Sequence, residues 1–170
     1  MGILSGIPKN EPMHYGEVFA IWTAYSSCKT MAAEYQTLLN HAGDGELQEL
    51  LKEAIEISQN DSRELEVYLK ENGVYLPPAP PERPKADLED IPAGAKFYDQ
   101  EIGAKLTLDI TAGLVACSQA MGMSIREDIA MTFGQMHVKK AQLGLKVLRL
   151  NKEKGWLIPP PLHLAVPEKE

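Results

Sequence analysis

Histidines, cysteines and aromatic side chains are few in this chain of 170 residues, and each scarcity removes a class of chemistry. The two cysteines, Cys28 and Cys117, stand in no CxxC or CxH spacing, so neither a zinc site nor a disulfide framework is indicated, and both read as buried thiols within helices. Nothing ties either cysteine to a histidine partner, and GxSxG elbows and phosphate-cradling glycine loops are missing, which leaves nucleophilic catalysis without support. Basic residues are outnumbered: 17 Lys and Arg against 24 Asp and Glu give a net charge of −7, which opposes binding to nucleic acid or an anionic membrane through a broad basic surface. No apolar run approaches the roughly 18 residues of a membrane span. The opening MGILSGIPKNEP has no basic region followed by an apolar stretch, so an intracellular protein without a signal peptide is expected. Gly6 occupies the place where a myristoylation signal wants Ser or Thr, so Gly2 is not evidence of a lipid anchor.

Hydrophobic periodicity is what the chain does have. With 44% hydrophobic and 24% charged residues it has an ordinary soluble composition, and its length suits one domain over 1–170 that hides roughly 70% of its extended surface. Val18, Ile21, Trp22, Tyr25, Cys28, Ala32 and Leu39 recur at helical steps and predict a helix over about 11–42, with Asn10 as cap, Pro12 in the first turn and Gly43 as a left-handed stop. Asp44 caps a second helix over about 44–72, whose face holds Leu47, Leu51, Ala54, Ile57, Leu65 and Tyr68 and which Gly73 ends. A third helix over 97–122 carries Leu106, Ile110, Leu114, Cys117 and Met121 and closes at Gly122. Ser124 and Glu127 spell a capping box that opens a fourth helix over 124–154, with Ile125, Ile129, Thr132, Met136, Leu143, Val147 and Leu150 on its face and Gly155 as its stop.

The stretch ENGVYLPP at 71–78 is echoed by EKGWLIPP at 153–160. Gly73 and Gly155 stand 82 positions apart, and the same offset superposes Lys70 on Lys152, Pro77 and Pro78 on Pro159 and Pro160, and apolar Leu47, Leu51, Ala54, Leu65 and Tyr68 on Ile129, Phe133, Met136, Val147 and Leu150. This reads as an internal duplication of a helical hairpin. The first and third helices match more weakly, at an offset of 84 that aligns Glu17 with Glu101. Five prolines between 77 and 84 make residues 74–96 an extended crossover, and a Pro-rich tail follows at 156–170. The fold class is therefore all-α: a ferritin-like four-helix bundle made of two helical hairpins joined by a long Pro-rich crossover.

Metal centres of that topology need Glu-x-x-His on two helices and a further Glu from each of the other two. The second helix has no His, and His137 is preceded three residues earlier by Gly134, so the motif is missing. His14 and Glu17 make the reversed spacing one turn apart, with Glu101 as a candidate third ligand; a solvated pair at a helix entry is the simpler reading. Asp61 falls at the centre of an apolar face, where the echo carries Leu143. A carboxylate buried there must find partners, and Ser58, tyrosines of other helices, Lys140 and Lys29 are the candidates. Glu34 and Asp128 read as solvated, and Trp22 and Trp156 as core and cap residues. No residue is assigned as catalytic, cofactor-binding or metal-ligating, and no cofactor is expected.

The combination EVFAIWTAY at Glu17 to Tyr25 with KEKGWLIPPP at Lys152 to Pro161 resembles an uncharacterised ferritin-like family of spore-forming Gram-positive bacteria, whose members are often named as spore coat proteins and are similar to the coat F type. That resemblance implies a non-enzymatic structural or interaction protein on a frame without di-iron ligands, located at the spore coat, with other coat proteins or further copies of itself as partners and neither nucleic acid nor membrane among them. The alternative is a divergent metal-binding or oxidative protein with a carboxylate-rich site from Glu17, Asp61 and Glu101, which requires those carboxylates to converge inside the bundle.

Overall fold

The structure is a computed structural model and describes residues 11–163. Four helices of nearly equal length fill it: α1 (Tyr15–His41), α2 (Gly45–Glu71), α3 (Asp99–Met123) and α4 (Glu127–Glu153), with two short 3-10 turns at Leu88–Asp90 and Ala93–Ala95 before α3. There is no strand among the described residues. α1 starts later than the periodicity suggests. His14 is its cap, with Nδ1 accepting the Gly16 N–H at 2.9 Å while the His14 N–H donates to Glu17 at 3.1 Å, a capping box that places Pro12 outside the helix. Asn10 lies outside the described residues. Asp44 caps α2 as expected, accepting from Glu46 and Leu47 at 2.9 and 3.0 Å.

Gly73 (φ 67°) and Gly155 (φ 71°) are the only described residues with left-handed backbone, and both end helices. Three hydrogen bonds correspond at the two ends, and the second adds one from the Leu157 N–H to Asn151 O at 3.0 Å. The Val74 N–H donates to Leu69 O at 2.9 Å and the Trp156 N–H to Asn151 O at 2.8 Å, each five residues back, the 6→1 bond of a Schellman motif. Gly43 and Gly122 do not act as stops. α1 ends at Ala42 in extended backbone, and α3 runs through Gly122 to Met123. The reason is tertiary: the Gly43 and Asp44 N–H groups donate to Asp99 of α3, so that turn needs no left-handed residue to close it. The Ser124 capping box is likewise not formed. Ser124 caps the end of α3, its hydroxyl donating to Ala120 O, and α4 opens after Arg126.

α1 packs on α2 and α3 on α4, and the two hairpins meet through α2 with α4 and α1 with α3. Two hydrophobic clusters fill the interior. One holds Tyr35, Leu38, Leu47, Leu51, Ile102, Leu106, Val147 and Leu150, with Trp156 folded against it; the other holds Ile21, Tyr25, Leu65, Leu69, Ile129, Phe133 and Met136, covered by Val74 and Leu76. The residues before each proline run thus fold back over opposite ends of the bundle. The crossover runs along α1: Trp22 Nε1 donates to Tyr75 O, the Arg83 N–H to Gln36 Oε1 and Asn40 Nδ2 to Pro84 O. Trp22 is therefore a surface tether for the link, 38% exposed, and not a core residue.

Of the faces read from the sequence, α3 departs most. Met121 is exposed and Ala120 takes the buried place; Ile125 is exposed as well. Ala93–Met123 has the length and average composition that a membrane-crossing helix shares with a core helix of a soluble protein. Its Leu108, Ile110, Leu114 and Val115 are interrupted by Thr107, Asp109, Thr111 and Gly113, so it holds no unbroken apolar run of about 18 residues.

Candidate functional site

Between the two hydrophobic clusters lies a polar layer at mid-bundle. Asp61 of α2 is wholly buried there, with buried Ser58 and Ser62 on the same helix. Its Oδ1 accepts from Lys139 Nζ at 2.8 Å, and Lys140 Nζ stands 3.9 Å from Oδ2, which has no hydrogen-bond partner. Of the expected partners Lys140 is present, whereas Lys29 and Ser58 make no bond to Asp61 among the described contacts. Lys139 is a partner that helical spacing does not indicate. Its neighbour Lys140 already occupied the helical position facing α2, and only the length of the lysine stem lets two adjacent residues of one helix reach one carboxylate.

Glu17, Asp61 and Glu101 do not converge. Glu17 is buried, with Oε1 accepting the Ile125 and Arg126 N–H groups at 2.8 and 2.9 Å and Oε2 accepting the His14 N–H. It is neither solvated nor aimed at the bundle centre: it tethers the turn between α3 and α4. Glu101 is exposed and accepts the Tyr98 N–H at 2.8 Å at the start of α3. Among the described residues no three His, Cys, Asp or Glu side chains gather where one metal ion could be held. The donors of a carboxylate-bridged metal pair are not assembled, and the mid-bundle layer instead holds a carboxylate already matched by ammonium groups.

Two further carboxylates read as solvated are paired. Glu34 Oε1 lies 3.1 Å from Lys105 Nζ, and Asp128 is bound by the Arg126 guanidinium through Nε at 3.1 Å and Nη2 at 2.7 Å. The Arg126 guanidinium holds the Asp128 carboxyl below the usual carboxylate range, with the Ile129 N–H assisting. Arg126 also donates through Nη1 to Glu11 O, which fixes the chain entering α1.

Cys28 of α1 and Cys117 of α3 are buried, free thiols. Both line one groove of about 290 Å³ between α1 and α3, floored by Phe133, Met136 and Lys140 of α4. Burial pushes the Cys28 thiol up to about 12, and burial raises Cys117 as well, so both are protonated at neutral pH and poor nucleophiles. The groove has no signal in any motif; it exists because Ala20 and Ala24 of α1 face Ala112 and Ala116 of α3, where larger side chains would have closed it.

Comparison with known proteins places this geometry in a family. A family model described as protein of unknown function DUF3231 matches residues 1–169. The uncharacterised protein YvdQ of Bacillus subtilis (strain 168) is 58% identical over 164 residues, 96% of each chain. A crystal structure of a protein from Bacillus halodurans, named "putative spore coat protein", is 53% identical and superposes with a TM-score of 0.91 over 93% of this chain and 99% of that one. A two-domain protein of Anabaena variabilis, with a ferritin-like domain beside a DJ-1/ThiJ/PfpI-like one, is 16% identical and has a TM-score of 0.64 over 88% of this chain and 41% of its own. That last likeness shows the four-helix fold alone. The chain belongs to the DUF3231 family.

Proposed function

We propose that this protein is a non-enzymatic structural or interaction protein of the spore coat, with other coat components and further copies of itself as partners and with neither nucleic acid nor membrane among them. The observation that carries the reading is the 53% identity, over nearly the whole of both chains, to the Bacillus halodurans protein named for the spore coat. The mid-bundle layer supports its non-enzymatic half, since Asp61 is already bonded by Lys139, with the Lys140 ammonium 3.9 Å away, where a metal-dependent relative would need free donors. We infer too that the two hairpins arose by duplication, supported by their equivalent Gly73 and Gly155 terminators. The resemblance of the EVFAIWTAY and KEKGWLIPPP stretches to a ferritin-like spore family implies a frame similar to that of the coat F type.

The test is fractionation of sporulating cells with an antibody to the untagged protein. It should appear during sporulation and be recovered from washed spores by coat extraction. Recovery from growing cells alone would overturn the reading. So would stoichiometric iron or manganese retained after anaerobic loading and lost in Asp61→Ala.

A further inference from the structure

We propose that the groove between α1 and α3 is a binding site for a monocarboxylate with a single straight aliphatic chain of medium length, its carboxylate on Lys140 and its chain running towards Phe19 and Met123. This goes beyond the coat reading and does not depend on it.

Lys140 is the one ionised side chain that lines the groove; Asp and Glu are missing from its walls, and the two thiols there are neutral. Its side chain is only 12% exposed. The stem crosses α3 at Gly113, where an added Cβ would lie 2.9 Å from Lys140 Cδ, so the glycine is the gap through which the ammonium reaches the groove. Inside, the ammonium is incompletely matched. The nearer lysine, Lys139, holds Asp61 at 2.8 Å, while Lys140 remains at 3.9 Å, outside hydrogen-bond reach. A half-buried ammonium in a low-dielectric wall favours an anion that can bond to it directly.

The floor of the groove is apolar and narrow. Alanines on both walls and Phe133 and Met136 on the floor provide no second charge, and the uncharged polar side chains of the lining, Thr23, Ser27 and Gln119, are all exposed. From Cys28 to Phe19 the helix rises about 13 Å, which suits an extended medium-length chain. The volume of about 290 Å³ lies at the small end of ligand sites. The five sulfur side chains of the walls, Cys28, Cys117, Met31, Met123 and Met136, do not favour a soft cation instead, because Lys140 repels one.

The experiment is calorimetric titration of the full-length protein with sodium decanoate, paired with decanol on the same protein. Saturable one-to-one binding of decanoate, about tenfold tighter than decanol, is expected from the charge-assisted contact. Lys140→Met should bring decanoate down to the level of decanol, and Ala116→Leu, on the exposed rim, should abolish both. Equal binding of the two amphiphiles by the unaltered protein would remove the role of Lys140 whatever the variants do, and undiminished binding by Ala116→Leu would put the site elsewhere. No saturable binding ends the proposal. If that protein also sediments as a dimer and Ala116→Leu as a monomer, the occupant of the groove is a second copy of the chain.

Discussion

Glu17 and Arg126 lie 109 positions apart, yet Glu17 Oε1 accepts the Arg126 backbone N–H at 2.9 Å and shares that oxygen with the Ile125 N–H. The converse contact is present at the other end of the bundle, where Asp99 takes the Gly43 and Asp44 N–H groups at 2.8 and 3.0 Å. Each hairpin's first helix thus holds the turn of the other hairpin. The Asp44 and Arg126 N–H groups belong to the caps of α2 and α4 and those of Gly43 and Ile125 to the residues just before them, and an acceptor with a negative charge suits the positive end of a helix dipole.

Glu17→Ala should therefore be among the more damaging single substitutions. It leaves the Ile125, Arg126 and His14 N–H groups without their acceptor at a site that is 1% exposed. We expect a loss of about 3 kcal/mol or more in urea unfolding, and roughly half that for Glu17→Gln, which keeps one acceptor oxygen. Asp99→Ala, whose partners are nearer solvent, should lose less. A Glu17→Ala protein within about 0.5 kcal/mol of the original would show that the turn is held by something else.

The Asp61 layer gives an asymmetric prediction. A buried ion pair is weak evidence of net stability, because desolvation offsets attraction, whereas removing one side leaves a charge without compensation. Replacing the whole layer, Asp61→Leu (which copies the Leu143 of the equivalent hairpin position) together with Lys139→Met and Lys140→Met, should give a protein that unfolds within about 1 kcal/mol of the original or later. The double change Lys139→Met and Lys140→Met should lose about 3 kcal/mol by stranding the Asp61 carboxylate. Equal losses in the two proteins would mean that the layer contributes net attraction.

What could be read in the sequence divides by range. The four helices, the Asp44 cap, the Pro-rich link and the two terminators rest on contacts within six residues, and hydrophobic spacing with glycine and proline is enough to find them. The residue types of Gly43 and Ser124 suggest local roles, but tertiary partners take over: Asp99 closes the first turn and Glu17 the second. Lys139 meets Asp61 across 78 positions, and no spacing rule reaches that far. The groove is a matter of what small side chains leave unfilled, and periodicity that marks Ala24 or Ala116 as helical says nothing of the space opposite.

The paired terminators should respond alike. Gly73 and Gly155 hold φ of 67° and 71°, where a Cβ is strained but meets no atom within 4 Å. Alanine at either should lower stability by about 1 kcal/mol through backbone strain alone, and asparagine by less. Thermal unfolding of the four variants checks this. Unequal losses at the two glycines would break the equivalence of the hairpin ends, since packing differences are excluded by the open space at both.

The thiols supply a pH dependence whose sign follows from the folded state's preference for the protonated form. Burial lifts Cys28 from 9.0 to about 12, so its contribution to stability is complete below about pH 9 and is lost as pH rises from there towards 12. Cys117 shifts the same way, and buried Tyr35 adds to the fall above its ordinary value of 10.0. Stability should thus decline steadily above about pH 9, and the decline just above that pH should be shallower in a protein with both cysteines changed to alanine, even though that protein starts lower through lost packing. At about pH 8 the raised thiols, held in their protonated form, should react only slowly with iodoacetamide until the protein unfolds, with labelling following unfolding in urea. Labelling of the folded protein at the rate of a free thiol would show that the groove admits reagents to Cys28 and Cys117 in their ionised form, and the alkaline decline would then have to arise elsewhere.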